Sequence, residues 1–191
     1  MAAIIKIDVD GVIRDIFTPM LEIYNSNFNT NLVLEDIFDY DVEKVFTKVK
    51  EFYSVSAADW FFDVNGRSLF LYSNPYEGVA KAINKLRENG HKVVIVTWQP
   101  SLENKVNTLK FLEKNNIQYD DICFTRDKWM IESDYLIDDN PEFLLDLRDN
   151  SCKIAIDFPY NRHVNDYVIR RYNLMEAVDF ILDEEEKWNY T

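Results

Sequence analysis

The sequence predicts an α/β protein: a parallel sheet covered by helices, with a small, mainly helical segment inserted after the first strand. Three observations lead there. Short runs rich in Val and Ile recur along the chain, helical patterns alternate with them across short connections, and residues 16–74 break that alternation. The strands read as Ala3–Ile7, Lys92–Thr97, Ile122–Phe124, Tyr135–Ile137 and Lys153–Ile156. Their near-continuous apolar character is that of strands buried on both faces, which parallel sheets require.

The helices follow from spacing and punctuation. Val79, Ile83 and Leu86 recur at helical spacing, and Gly90 stops that helix. Val106, Leu109 and Leu112 mark a second helix with Ser101 as its N-cap. Asn140-Pro141 places a cap ahead of a proline at the start of a helix over Glu142–Arg148. Asn173 and Glu176 form a capping-box pattern, followed by Val178, Ile181 and Leu182 on one face. The acidic run Asp183–Glu186 reads as a solvated helix end. Within 16–74, Val45, Val49, Phe52 and Tyr53 are helically spaced, while Asn65-Gly66 suggests a tight turn between Phe61–Val64 and Ser68–Tyr72. The chain therefore divides into 1–15 with 75–191 as the α/β part, and 16–74 as the insertion.

Charge and composition exclude several functions. The net charge of −13 repels nucleic-acid polymers and anionic membranes. Two cysteines, Cys123 and Cys152, make no disulfide framework and suit a reducing compartment. With only His91 and His163 beside them, a Cys/His zinc cluster is not expected. The four glycines are too dispersed for a dinucleotide fingerprint or a P-loop. Neither a signal sequence nor a membrane-crossing run is apparent, so cytoplasm is the expected location and a membrane is not an expected partner.

Four pieces carry chemistry. Asp8-Val9-Asp10-Gly11-Val12 ends the first strand, and open parallel sheets place ligands outside such carboxyl ends. The two carboxylates can divide labour, one as nucleophile or metal ligand and the other as proton donor. An Asx-rich turn would use the same residues. Thr97 ends the second strand, and its hydroxyl with the amides of Trp98 and Gln99 suits a phosphate oxygen. Lys128 stands two residues after Arg126 in the loop following the third strand. Asp138-Asp139 ends the fourth strand, where adjacent buried acids are costly without a cation. With Asp10 protonated, a divalent cation and Lys128 would neutralise the remaining carboxylates. Jointly these pieces point to phosphoryl transfer.

In that order, Asp8-x-Asp10-Gly11-Val12, Thr97, Lys128 and Asp138-Asp139 resemble the four motifs of the haloacid dehalogenase-like (HAD) phosphatases. The resemblance covers nearly the whole chain. It implies a Rossmann-like sheet of strand order 5-4-1-2-3, and it makes 16–74 a cap at the family's first insertion position. A narrower resemblance is to the 5′(3′)-deoxyribonucleotidases, carried by Asp8–Asp15, Trp60-Phe61-Phe62, Pro75–Gly78, Arg126-Asp127-Lys128, Leu136–Asp139 and Phe158–Asn161. Ile16 stands where that group tends to have an aromatic, and Trp98 where a small hydroxylic residue is common.

The resemblance implies a Mg²⁺-dependent phosphomonoesterase acting on nucleoside monophosphates. Asp8 would be the nucleophile, and Asp10 the general acid and base, kept protonated by its acidic neighbours. Thr97, Trp98, Arg126 and Lys128 would bind phosphate. The metal would lie on Asp8, the Asp10 carbonyl and Asp138, with Asp139 behind a water or a hydrogen bond. Phe17, Trp60 and Phe61, with Phe38, Tyr40 and Phe62, are candidates to stack on a base. Competing readings are a phosphatase of another small metabolite, such as a sugar phosphate, and a nucleic-acid 3′-phosphatase, which the charge disfavours. A homodimer is the default assembly.

Overall fold

The fold is that of a computed structural model, which describes residues 2–164 and 167–189, with side chains to Glu184. Its sheet contains β1 (Ile4–Ile7), β2 (Lys92–Thr97), β3 (Asp121–Phe124), β4 (Tyr135–Asp138), β5 (Cys152–Ile156) and β6 (Val168–Arg171). The order is β3-β2-β1-β4-β5-β6, and every pairing is parallel. Five neighbours thus stand in the expected order, and the sheet is larger by one strand than the sequence reading allowed. The added β6, Val-Ile-Arg-Arg, is half-buried along its length and has none of the apolar continuity that marked the others.

Every regular element between β1 and the return to the sheet is helical: α1 (Phe17–Phe28), α2 (Val42–Val45), α3 (Lys48–Tyr53), α4 (Ala57–Asp59), a π-helical turn over Trp60–Val64, and α5 (Gly66–Leu71), with a 3₁₀ turn at Leu34–Asp36. Asn65-Gly66 is therefore not a hairpin turn but the junction of two helical pieces. A Cβ on Gly66 would come 2.8 Å from Asn104 Oδ1, so this glycine serves close packing. Asp41 and Ser56 cap α2 and α4 through side-chain acceptors.

The remaining helices are α6 (Val79–Glu88), α7 (Leu102–Lys114), α8 (Pro141–Leu144) and α9 (Leu174–Asn189). Ser101 caps α7 by accepting from the Asn104 amide at 3.1 Å, and Asn140 caps α8. The helix expected over Glu142–Arg148 ends at Leu144, where Asp146 and Arg148 turn to each other instead. The buried face of α7 also differs from expectation. Asn104, Asn107, Thr108, Phe111 and Leu112 point inward, whereas Val106 and Leu109 are exposed. The reason is the partner: α7 packs against α5 and the turn before it, whose backbone carbonyls need donors. At α9 the capping pattern holds, with the Glu176 amide donating to Asn173 Oδ1 at 2.9 Å.

One hydrophobic cluster joins β1, β2, β4, β5, α6 and α9 with the aromatic-rich interior of 16–74. No described helix is long and apolar enough to cross a membrane.

Candidate active site

Register brings the chemistry together. Ile7 pairs with Ile95 of β2 and Ile137 of β4, so the next residue, Asp8, lies level with Asp138, one residue short of Thr97. The Asp8 amide extends the ladder by donating to Ile137 O at 3.0 Å. Three adjacent strands thus end in Asp8, Thr97 and Asp138, all buried. Lys128, on the short turn after β3, is also buried, and its Nζ donates to Asp8 Oδ1 at 2.8 Å and to Asp138 Oδ2 at 2.7 Å. Phe143 lies under the same ammonium, 4.4 Å from it to the ring centre.

Asp138 Oδ1 accepts from the amides of Asp139 and Asn140. The Asp139 carboxylate accepts from the Tyr160 hydroxyl, and its carbonyl from Asn161 Nδ2. Gly11 makes room for it. Its φ is +77°, and a Cβ there would stand 2.3 Å from Asp139 Oδ2. Any side chain at position 11 would both strain the backbone and displace that carboxylate.

Electrostatics follow burial. Desolvation pushes the Asp8 carboxyl up to about 7, with Asp138 and Asp10 adding to the shift and Lys128 opposing it. Burial, then the charges of Asp138 and Asp8, hold Asp139 well above the carboxylate range. Burial also disfavours the charged Lys128, but Asp138 and Asp8 outweigh it and raise this lysine above its ordinary value.

Asp10 is set apart from this cluster. Its Oδ1 accepts from Arg14 Nε at 2.7 Å and its Oδ2 from Gln99 Nε2 at 2.9 Å. Beside its acidic neighbours, a fully buried guanidinium faces it directly.

The other expected residues divide. Trp98 is part-exposed, with the exposed Arg126 guanidinium stacked 5.1 Å over its ring, so Arg126 stands apart from the buried Lys128. Phe17 is buried against Phe158 and Tyr160, directly behind the Asp139 partner. Trp60 and Phe61 are not brought to the carboxylates: they pack against each other and against Phe28, Tyr53 and Phe46 inside 16–74. Among the exposed aromatics of the same segment are Phe38, at 64%, and Tyr40, at 49%. These two line a cavity of about 430 Å³ with Asp39, Asp41, Glu142, Tyr160 and His163. Tyr40 meets Tyr160 edge-on at 5.7 Å. Burial, then the charges of Asp139, Asp8, Asp138 and Asp10, push its pKa up.

Sequence reasoning missed the side-chain roles of Arg14, Gln99, Tyr160 and Lys6, although Arg14 and Tyr160 stand inside the deoxyribonucleotidase-like segments and the Gln99 amide was read as facing phosphate. Lys6 had a signal: a lysine inside Ile-Ile-Lys-Ile, a strand buried on both faces, needs partners. It is fully buried, pointing to the same side as Asp8, and its Nζ donates to Lys128 O (3.0 Å), Ile131 O (2.9 Å) and Asp149 (2.6 Å). It ties down the turn that carries Lys128.

Oxygen atoms of Asp8, Asp138 and Asp139 lie within 4.8 Å of one another. Hard carboxylate oxygens in that number fit a hard divalent cation such as Mg²⁺. Lys128 offsets one of the three buried charges, and such a cation would offset the others. Asp139, expected outside the metal's immediate ligands, is inside this group.

The fold and this site define a HAD-type phosphatase, a phosphoric monoester hydrolase. Residues 2–186 match the family described as "5' nucleotidase, deoxy (Pyrimidine), cytosolic type C protein", and the chain belongs to that family. It is 25% identical over 188 residues to the Chlorobaculum tepidum protein named "Putative 5'(3')-deoxyribonucleotidase", covering 93% of this chain and 89% of that one. It is 27% identical over 191 residues to "Putative nucleotidase YqfW" of Bacillus subtilis, covering 92% and 91%. Among solved structures, the "HAD-hydrolase YfnB from Bacillus subtilis bound to magnesium" shares the fold at a TM-score of 0.58 and 14% identity, over 94% of this chain and 98% of that one.

Proposed function

We propose that the protein is a Mg²⁺-dependent nucleotidase that removes phosphate from 5′(3′)-deoxyribonucleotides through an aspartyl-phosphate on Asp8. The observation that carries this reading is Asp8 itself: a buried carboxylate beside the Lys128 ammonium, at the junction of three strand ends. An Asp8 oxygen forms a bond to phosphorus as the bond to the sugar oxygen breaks. Asp10 gives its proton to that oxygen. A water then attacks phosphorus, its proton passes to Asp10, and the Asp8–phosphorus bond breaks to release phosphate. Asp10 already accepts from Arg14 and Gln99, but each carboxyl oxygen keeps a further lone pair on which that proton can ride. Lys128 and Thr97 hold the non-bridging oxygens in this reading, where charge must be neutralised. Asp8, Asp138 and Asp139 would hold Mg²⁺, which supplies charge neutralisation for the transferring group.

The nucleoside would occupy the cavity between 38–41 and 140–142, with Phe38 and Tyr40 as its open aromatic faces. Asp39, Asp41 and Glu142 on its wall favour a leaving group without a second phosphate. Residues 16–74 act in this reading as a cap that supplies specificity. The test is phosphate release from 5′- and 3′-deoxyribonucleotides, ribonucleotides and sugar phosphates, with Mg²⁺ and with EDTA. Metal-dependent turnover fastest on deoxyribonucleoside monophosphates is expected. Activity confined to sugar phosphates would overturn the substrate assignment.

A further inference from the structure

Arg14 has no place in the four motifs that carry the chemistry, yet it is fully buried and among the largest side chains so enclosed. A guanidinium cannot shed its charge in the interior, so it must be paired and saturated with acceptors. Its partners come from three parts of the molecule. Nε donates to Asp10 Oδ1 at 2.7 Å, Nη1 to the carbonyl of Phe70 in α5 at 2.6 Å, and Nη1 and Nη2 to Thr108 Oγ1 of α7 at 3.3 and 3.2 Å. The plane is held between the rings of Phe70 and Phe111, 4.9 and 5.0 Å from their centres.

Its backbone position adds to this. Arg14 lies on the stretch by which the chain leaves β1 for the insertion, beside the stretch by which it returns. Asp15 N donates to Asn74 O at 2.9 Å, and Tyr76 N to Ile13 O at 2.9 Å. The other oxygen of Asp10 is held by Gln99, a fully buried side chain whose own Oε1 has no hydrogen-bond partner among the described residues. Natural interiors rarely leave such an atom unsatisfied. Two buried side chains thus converge on one part-exposed carboxyl.

We propose that Arg14 is the positioning residue for Asp10, aiming its carboxyl at the leaving oxygen, and that its grip depends on α5 being seated against α7. This inference rests on the reading of Asp10 as general acid. Through the Phe70 carbonyl, the seating of the insertion is transmitted to the proton donor. Proton transfer is then competent only when the segment that recognises substrate is in place.

Leaving-group dependence separates this role from a merely structural one. A nucleoside leaves as an alkoxide that must be protonated, whereas p-nitrophenolate leaves without a proton. The parameter to compare is kcat/KM, which reports steps through phosphorylation of Asp8, before Asp10 acts as base. For Arg14→Met, kcat/KM on a deoxyribonucleoside 5′-monophosphate is expected to fall about 10- to 100-fold more than on p-nitrophenyl phosphate, within the range general acid catalysis contributes. Arg14→Lys, which keeps the charge but not the fork, should fall in the same sense. Thr108→Val, nearly isosteric and one residue removed from Asp10, should show a discrimination of a few fold and keeps the test alive if Arg14→Met does not fold. Equal loss on both esters, or no loss on either, in folded Arg14→Lys and Thr108→Val would overturn the inference while leaving the phosphatase reading intact. A wild-type protein that hydrolyses neither ester would overturn the phosphatase reading and this inference together.

Discussion

The strand-end cluster and the insertion over 16–74 are built on opposite principles. At the strand ends, charge is buried: Asp8, Asp138, Asp139 and Lys128 are enclosed and bonded to one another, to Tyr160 or to backbone amides. In the insertion, short helices close over an aromatic interior, and the charged groups stay outside. The first arrangement fixes a few polar atoms by hydrogen bonds and encloses them away from solvent. The second holds shape by packing and leaves Phe38 and Tyr40 open. In the proposed reading, chemistry falls to the strand ends and selection of substrate to the insertion.

The sharpest way to break this contrast is Asp8→Asn. It should reduce turnover by at least about 10³-fold, as loss of a nucleophile does, with the circular dichroism spectrum unchanged. Near-normal activity would remove the strand ends from the chemistry. Metal dependence comes next. Because the Asp8 carboxyl is pushed up to about 7 in the metal-free protein, a proton competes with the cation below that pH. Mg²⁺ affinity, followed as a thermal shift, should fall as pH drops through 7, by about tenfold per pH unit for each ligand carboxyl that must lose a proton. A shift that is flat between pH 5 and 8 would exclude Asp8 as a ligand.

Lys6→Met tests whether the buried polar frame supports the site. It strands the Asp149 carboxylate and two carbonyls, and should cost about 3–5 kcal/mol in a denaturant titration. Lys6 holds the Asp149 carboxyl below its ordinary range against the opposing effect of burial. That stabilisation is present above the usual carboxylate pKa and is lost as pH falls through the lowered value, so the variant and wild type should converge in acid. A last pair of variants separates two kinds of aromatic. Phe61→Ala should lower stability by about 3–5 kcal/mol through a core cavity. Tyr40→Ala should leave stability within about 1 kcal/mol and raise KM for nucleotides about 5- to 10-fold, the loss of one stacking face. Equal stability costs would dissolve the distinction between the insertion's interior and its open face.

What was legible in the sequence follows the same division. Strands β1 to β5 and the residues that end β1, β2 and β4 were readable, because short apolar runs mark the strands and a polar residue then marks the exit. Asp8, Thr97, Lys128 and Asp138 do come together at the carboxyl ends. Strand β6 was not readable, since an edge strand with two arginines carries no such run. The buried face of α7 was misread for a related reason. Its Asn104 and Thr108 serve the Phe62 carbonyl and Arg14, partners that periodicity does not reveal. Trp60 and Phe61 looked like ligand-binding aromatics, but a small helical body must fill its own interior first. The side-chain roles of Arg14 and Gln99 were not readable because they depend on contacts with Asp10 across 4 and 89 residues of chain, which a motif's residue types alone do not reveal.

The most direct test of the central claim is a rapid acid quench of the enzyme turning over a deoxyribonucleotide with labelled phosphate, followed by peptide mapping. The account predicts an acid-stable, base-labile phosphoryl group on Asp8 in wild type that is absent from Asp8→Asn. Steady turnover with no label on the protein, or label on a residue other than Asp8, would contradict it.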